Sequence, residues 1–198
     1  YILWDTGHSM TAPNVAPKVS VVDQLAQLNI KPDQIKYVGI SHFHGDHTGQ
    51  VASFPKATLL IGQYEWEWIS APTPRPGVNH APFESWKKGE SKVEPLVNDK
   101  DVFGDKTVTV LAAPGHTPGH RILMVKLKSG TMLLSGDLYH GAAARTKRGV
   151  PPFNTDKAQT LKSMDKFEAL AKQTGAKVII QHEPADIGKL PVFPKAAE

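Results

Sequence analysis

Residues 41 to 47 read Ser41-His42-Phe43-His44-Gly45-Asp46-His47, an H-x-H-x-D-H run that packs three imidazoles and a carboxylate into six positions. Three residues of the same chemistry follow at wide spacing. His116 stands in Pro114-Gly115-His116-Thr117-Pro118-Gly119-His120, Asp137 in Leu133-Leu134-Ser135-Gly136-Asp137, and His182 closes Val178-Ile179-Ile180-Gln181-His182. Each lies just past an apolar, strand-like run, where a side chain can face a cleft. The chain has no cysteine, so any metal ligand must be nitrogen or oxygen. Such donors suit zinc best and also iron or manganese. In an extended segment side chains two apart share a side, so His42 and His44 can converge on one ion. If the chain turns helical near Asp46, then Asp46 and His47 swing toward a second position beside the first. A lone histidine is more often a core or surface residue; seven donors in this arrangement point to metal.

The hydrophobic pattern supplies the elements that must position these residues. Residues 1–4 read as a strand left through the turn Asp5-Thr6-Gly7. Residues 19–28 have helical spacing (Val22, Leu25, Ala26, Leu28) and stop before Asn29 and Pro32. A strand at 35–40 delivers the histidine run, a helix is expected at 48–54, a buried strand at 57–61 and a helical turn or two at 62–69. Residues 70–89, with Pro72, Pro74, Pro76, Gly77 and Pro82 among Phe83 and Trp86, read as a long loop. Residues 107–112, 122–127 and 131–134 alternate like antiparallel strands, with Lys128-Ser129-Gly130 as a hairpin turn. An amphipathic helix is expected at 156–173 and a last strand at 176–181.

A chain of 198 residues is one domain's worth, 1–198, and its apolar fraction of 40% and charged fraction of 21% are ordinary for a globular protein. No apolar run is long enough to span a bilayer, so no membrane partner is expected. The net charge of +4 comes from scattered lysines, with no basic block longer than Thr146-Lys147-Arg148 or Trp86-Lys87-Lys88. That pattern is a solvated basic surface, not a nucleic-acid footprint. Tyr1-Ile2-Leu3-Trp4 reads as the inside of a strand, so an N-terminal segment is expected to precede it, with any targeting signal. The lack of cysteine is compatible with an oxidising compartment, and the periplasm or secretion is expected ahead of the cytoplasm.

The H-x-H-x-D-H run, followed in order by His116, Asp137 and His182, resembles the metallo-β-lactamase fold superfamily over nearly the whole chain, from Asp5 to His182. The resemblance implies an α/β fold, the four-layer αβ/βα sandwich, here without its N-terminal strands. It implies that His42, His44 and His116 hold one metal ion and that Asp46, His47 and His182 hold a second. Asp137 is the implied bridge, because a carboxylate can give one oxygen to each ion. Two Zn2+ are expected, with iron or manganese as alternatives. Such a pair acidifies a bridging water, and the resulting hydroxide attacks a carbonyl, with Asp46 orienting it.

Asp137 narrows the substrate. Zinc β-lactamases generally lack a bridging carboxylate there, whereas lactonases and glyoxalase II-type thioesterases have one. Pro114-Gly115-His116-Thr117-Pro118-Gly119-His120 and Gly136-Asp137-Leu138-Tyr139 look most like N-acyl homoserine lactonases. The expected activity is therefore opening of a lactone ring, with an N-acyl homoserine lactone as substrate. More broadly, the partner is a small molecule with a cyclic ester or amide, and β-lactam or thioester hydrolysis is the alternative. Redox chemistry, as in di-iron members with a flavin domain, and nuclease activity are further readings; no flavin domain is visible.

In the lactonases a tyrosine three residues after the aspartate assists ring opening. Here Tyr139 is two residues after Asp137 and His140 three, so Tyr139 acts, His140 replaces it, or neither does; Tyr139 is favoured. Asp5 is expected to accept a ligand histidine's free N–H, and His120 to be structural. His8 and His80 are either substrate contacts or exposed, and Trp66, Trp68, Phe83 and Trp86 line an acyl pocket or the core. The oligomeric state is not legible.

Overall fold

The computed structural model describes residues 1–73 and 75–198; Pro74, one of the prolines of the 70–89 segment, lies outside the described residues. The chain divides into two compact units, Tyr1–Val97 and Asn98–Glu198. Each is built on its own sheet.

The first unit runs β1 (Ile2–Trp4), α1 (Val21–Gln27), β2 (Tyr37–Ile40), α2 (Gly45–Thr48), β3 (Thr58–Gly62), α3 (Gln63–Ser70), α4 (Glu84–Lys87) and β4 (Val93–Leu96). Its four strands lie in chain order and all pair in parallel. A parallel sheet is covered on both faces, and its inner strands therefore read as unbroken apolar runs. Leu59-Leu60-Ile61 is fully buried on this account. Trp4 pairs with Gly39 and Ile40 with Ile61, so the loops after β1 and β2 leave from the same edge. Both carry functional residues, as expected at the carboxyl ends of parallel strands.

Three expectations change in this unit. Helix α1 starts at Val21 rather than 19 because the Ser20 side chain accepts from the Asp23 amide and caps it there. The helix expected at 48–54 is instead α2 followed by a 3-10 turn at Val51–Ser53. The break falls where Gly49 meets the first loop: its amide donates to the Gly7 carbonyl at 2.8 Å, and a Cβ there would sit 2.0 Å from the Ser9 nitrogen. The 70–89 segment is also not wholly irregular. A turn at Ala81–Phe83 runs into α4 and buries Phe83 and Trp86 in the core with Val38, Ile40, Phe54 and Ile69. These two aromatics are core residues and not pocket walls, each stabilising the unit by roughly 1.5–3 kcal/mol or more. Trp66 and Trp68 pack half-buried against the same cluster.

The second unit runs β5 (Lys100–Asp101), β6 (Val108–Ala112), β7 (Arg121–Leu127), β8 (Gly130–Leu134), α5 (Ala142–Lys147), α6 (Lys157–Thr174), β9 (Lys177–Ile179) and α7 (Pro184–Ile187). The sheet order is β5-β6-β7-β8-β9, antiparallel except that β9 runs parallel to β8. Leu127 pairs with Gly130, so only Lys128 and Ser129 form the hairpin tip. Asp156 caps α6 by accepting from the Gln159 amide, and Gly175, at φ 60°, ends it in the left-handed region. The apolar face of α6, with Met164, Phe167 and Ala171, packs on Leu133, Leu138 and Ile180. The last strand stops at Ile179, earlier than expected, because the Ile180 amide leaves the ladder to donate to the Asp186 carboxylate at 3.1 Å. Among the described residues, no helix is long and apolar enough to cross a membrane.

Candidate metal centre

In the first unit, the H-x-H-x-D-H run begins one residue after β2 ends. His44 is still extended (φ −63°, ψ 149°) and serves as the N-cap of α2, so Asp46 and His47 fall in the first helical turn. This is the turn into a helix near Asp46 on which the placement of Asp46 and His47 beside the first pair depended. His42 Nε2 and His44 Nδ1 stand 3.0 Å apart, and His47 Nε2 lies 3.5 Å from an Asp46 oxygen. Both pairs bring candidate donor atoms together, and His42 and His47 are buried.

Asp5 organises this half. Its backbone adopts φ 54°, which aspartate tolerates better than most residues. One carboxylate oxygen accepts from the Ser41 amide at 2.7 Å. The other accepts from the Ser41 hydroxyl and from His47 Nδ1, both at 2.8 Å. Ser41 Oγ in turn lies 3.0 Å from His42 Nδ1. With Nδ1 occupied on both rings, Nε2 is the atom that His42 and His47 present, the usual arrangement for ligands held by a hydrogen-bonded carboxylate. Asp5 thus accepts the N–H of His47, one of the expected ligands. Sequence reasoning missed Glu65, fully buried on α3, which accepts from the Phe43 amide at 2.9 Å and pins the middle of the run. Beside Asp46 lies a cavity of about 500 Å³ whose walls include His8, Ser9, Thr11, Thr48 and Asn79. His8 is therefore a cavity residue; His80 is placed on the α4 side, 3.4 Å from Lys87 Nζ.

In the second unit, Asp137 is the hub. It follows Gly136, whose φ of 51° and near contact with His120 exclude a side chain: a Cβ would lie 2.6 Å from His120 Nε2. His182 Nε2 stands 3.1 Å from one Asp137 oxygen, and His140 Nε2 and His116 Nε2 stand 3.2 and 3.6 Å from the other. Asn154 Oδ1 accepts from His116 Nδ1 at 3.0 Å, again leaving Nε2 to face the carboxylate. His120 spends both ring nitrogens on backbone: Nδ1 donates to the Ala113 carbonyl and Nε2 accepts from the Asp137 amide, each at 3.0 Å. It is structural, as expected, and it fixes the Asp137 backbone.

The structure separates Tyr139 from His140. Gly136–Leu138 is a 3-10 turn, which brings residues three apart to one side, so His140 returns to Asp137. Tyr139 is extended (φ −134°, ψ 137°) and points the other way into the core, packed edge-on against Phe167. Its hydroxyl donates to Glu168 Oε1 at 2.9 Å, and Arg145 grips the same carboxylate through two bonds of 2.8 Å. Burial, reinforced by the Glu168 hydrogen bond, pushes the phenol well above its ordinary range. Arg145 holds Glu168 below its ordinary range despite partial burial. The Tyr139 side chain is thus held in the core. His140 keeps the company of the cluster: its ring stacks on His182 at 6.0 Å and meets His116 edge-on at 5.2 Å.

Each unit therefore carries its own cluster of histidine and aspartate donors, with the supporting nitrogens and oxygens already engaged. Comparison with known proteins gives this arrangement a family. The model of the metallo-β-lactamase superfamily matches residues 1–182. The N-acyl homoserine lactonase AttM of Azorhizobium caulinodans is 34% identical over 170 residues, covering 82% of this chain and 64% of its own length. AttM of Agrobacterium fabrum is 33% identical over 180 residues, covering 87% and 68%. This chain thus spans just under two thirds of the first of these relatives. A crystal structure of a quorum-quenching N-acyl homoserine lactone hydrolase superposes with a TM-score of 0.85 at 23% identity, covering 99% of this chain and 80% of that one. The dizinc lactonase AidC superposes with a TM-score of 0.72 at 22% identity, covering 92% and 68%. Those two likenesses establish the fold, the α/β sandwich that the sequence implied.

Proposed function

The chain belongs to the metallo-β-lactamase superfamily, and from that premise we propose that it is a metal-dependent hydrolase that opens the ring of N-acyl homoserine lactones. The observation that carries the substrate is the match, at 34% identity over 82% of the chain, to a lactonase of that specificity. His42, His44, His116 and Asp137 would hold one ion, and Asp46, His47, Asp137 and His182 would hold the other. The donor chemistry fits: all are nitrogen or oxygen ligands, and zinc is the preferred metal, with iron or manganese also suited.

When bound, two such ions supply an acidified water and a Lewis acid for the lactone carbonyl. The chain's residues do the rest. Asp5 and Asn154 fix the orientation of His47 and His116 by accepting from their Nδ1 atoms. His120 and the bend at Gly136 hold Asp137 so that its two oxygens face different histidines. Asp46 orients the attacking water as well as ligating. His140 Nε2, part-exposed beside Asp137, is the hydrogen-bond donor for oxygen charge that develops as the carbon–oxygen ring bond breaks.

A panel of lactones, β-lactams, thioesters and phosphodiesters assayed with zinc-loaded protein tests the proposal. Turnover of N-acyl homoserine lactones well above the other classes is expected. Thioester or β-lactam cleavage without lactone opening would replace the substrate and keep the hydrolase; no hydrolysis of any class would sink both.

A further inference from the structure

Phe153 is a large aromatic left 64% exposed, yet it does not sit on a loose loop. The segment that carries it is stiffened by Pro151 and Pro152 on one side. On the other, the Thr155 and Asp156 amides donate to the carbonyls of His116 and Gly115 at 3.0 and 2.9 Å. Asn154 ties itself to His116 Nδ1 and donates to Thr160 Oγ1 at 3.1 Å. Held this way, the Phe153 ring meets the His140 ring edge-on at 5.5 Å and the His116 ring edge-on at 6.0 Å. Water-exposed aromatic surface is costly, and a clamped segment cannot relieve that cost by folding the ring away. The ring is therefore an apolar wall beside His116 and His140, two of the three histidines that face Asp137.

We propose that Phe153 is a specificity-determining residue, and that its exposed face receives the apolar acyl arm of the substrate while the ring to be opened lies over the histidine cluster. The inference rests on the lactonase reading and adds to it the part of the chain that reads acyl length. An aromatic face at this place favours a long alkyl arm over a short one, because every methylene that it shields from water strengthens binding, by up to about fourfold at full burial.

The test compares N-butanoyl and N-octanoyl homoserine lactone with zinc-loaded wild type, Phe153→Ala and Phe153→Leu. Phe153→Ala is expected to raise KM for the octanoyl substrate about tenfold more than for the butanoyl one, with the change falling on KM rather than kcat. Phe153→Leu, which keeps an apolar surface, should recover most of the discrimination; a merely structural role would not produce that split or that rescue. If wild type opens lactones but the ratio of the two KM values is the same in Phe153→Ala, the inference is overturned and the lactonase reading stands. If wild type opens no lactone, the reading falls and this inference with it.

Discussion

In the Tyr1–Val97 unit four donors come from one six-residue run behind a single strand, whereas in Asn98–Glu198 three come from separate strand ends between residues 116 and 182. The first cluster is set by local backbone geometry, an extended pair followed by a helical turn; Asp5 braces its histidine rings directly at His47 and through Ser41 at His42, while Glu65 pins the backbone at Phe43. The second is set by the sheet. Parallel pairing of Leu134 with Ile179 places the ends of β8 and β9 side by side, and so Asp137 and His182 can meet. Braces in that half are dispersed over His120, Asn154 and Asp186, each acting on one short segment. In the compact motif the support of the histidine rings is therefore concentrated in one carboxylate, and in the dispersed one it is spread over several weaker points. Mutations can distinguish these two designs.

The largest effect is expected at the hub of the dispersed half. Asp137→Ala removes the only residue proposed to touch both ions and should lower lactone hydrolysis on the order of 10²-fold or more, with the melting temperature nearly retained. Near-normal turnover with two ions still bound would mean that Asp137 is no bridge.

His140 and Tyr139 sharpen the contrast within that half. His140→Ala should cost about 10²–10³ in kcat without loss of metal, the size expected for one donor to developing oxyanion charge. Tyr139→Phe should leave kcat near wild type and lower stability by about 1 kcal/mol, the scale of one hydrogen bond. Reversal of the two phenotypes would return the catalytic role to the tyrosine.

The chemistry-bearing residues were legible because their spacing is local or follows strand ends. H-x-H-x-D-H encodes its own geometry, and the apolar runs before Asp137 and His182 mark where strands stop. What could not be read depends on segments far apart in sequence. Asn154 reaches His116 across 38 residues, and Glu65 reaches Phe43 across 22. Phe83 and Trp86 looked like loop aromatics because a short turn rich in proline gives no helical period, although it buries both. Tyr139 and His140 could not be told apart for a different reason. The one-residue difference between it and His140 is decided by a 3-10 turn at Gly136–Leu138, and the pattern carried no sign of that turn.

For the compact half, Asp5→Ala should weaken metal affinity roughly 10–100-fold through His47 and Ser41, the range typical of a lost brace. Asn154→Ala, one brace among several in the other half, should cost less. Equal effects in titrations of zinc against a competing chelator would break the contrast between the two designs.

The smallest effect concerns the scaffold. Glu168, held below its ordinary range by Arg145, binds protons less readily folded than unfolded. Its stabilisation is thus present above the ordinary glutamate value of about 4.3 and is lost as pH falls through the lower, folded-state value. The gap in melting temperature between wild type and Glu168→Gln should be widest near neutrality and shrink below about pH 4; a gap that widens in acid would reverse the assignment.

The central claim is the proposal that the seven histidine and aspartate donors hold two metal ions, and metal stoichiometry tests it most directly. Elemental analysis of purified protein equilibrated with zinc and freed of loose metal should give two ions per chain in wild type and fewer in Asp137→Ala. Protein that holds no transition metal, or a content that Asp137→Ala leaves at the wild-type value, would contradict the account.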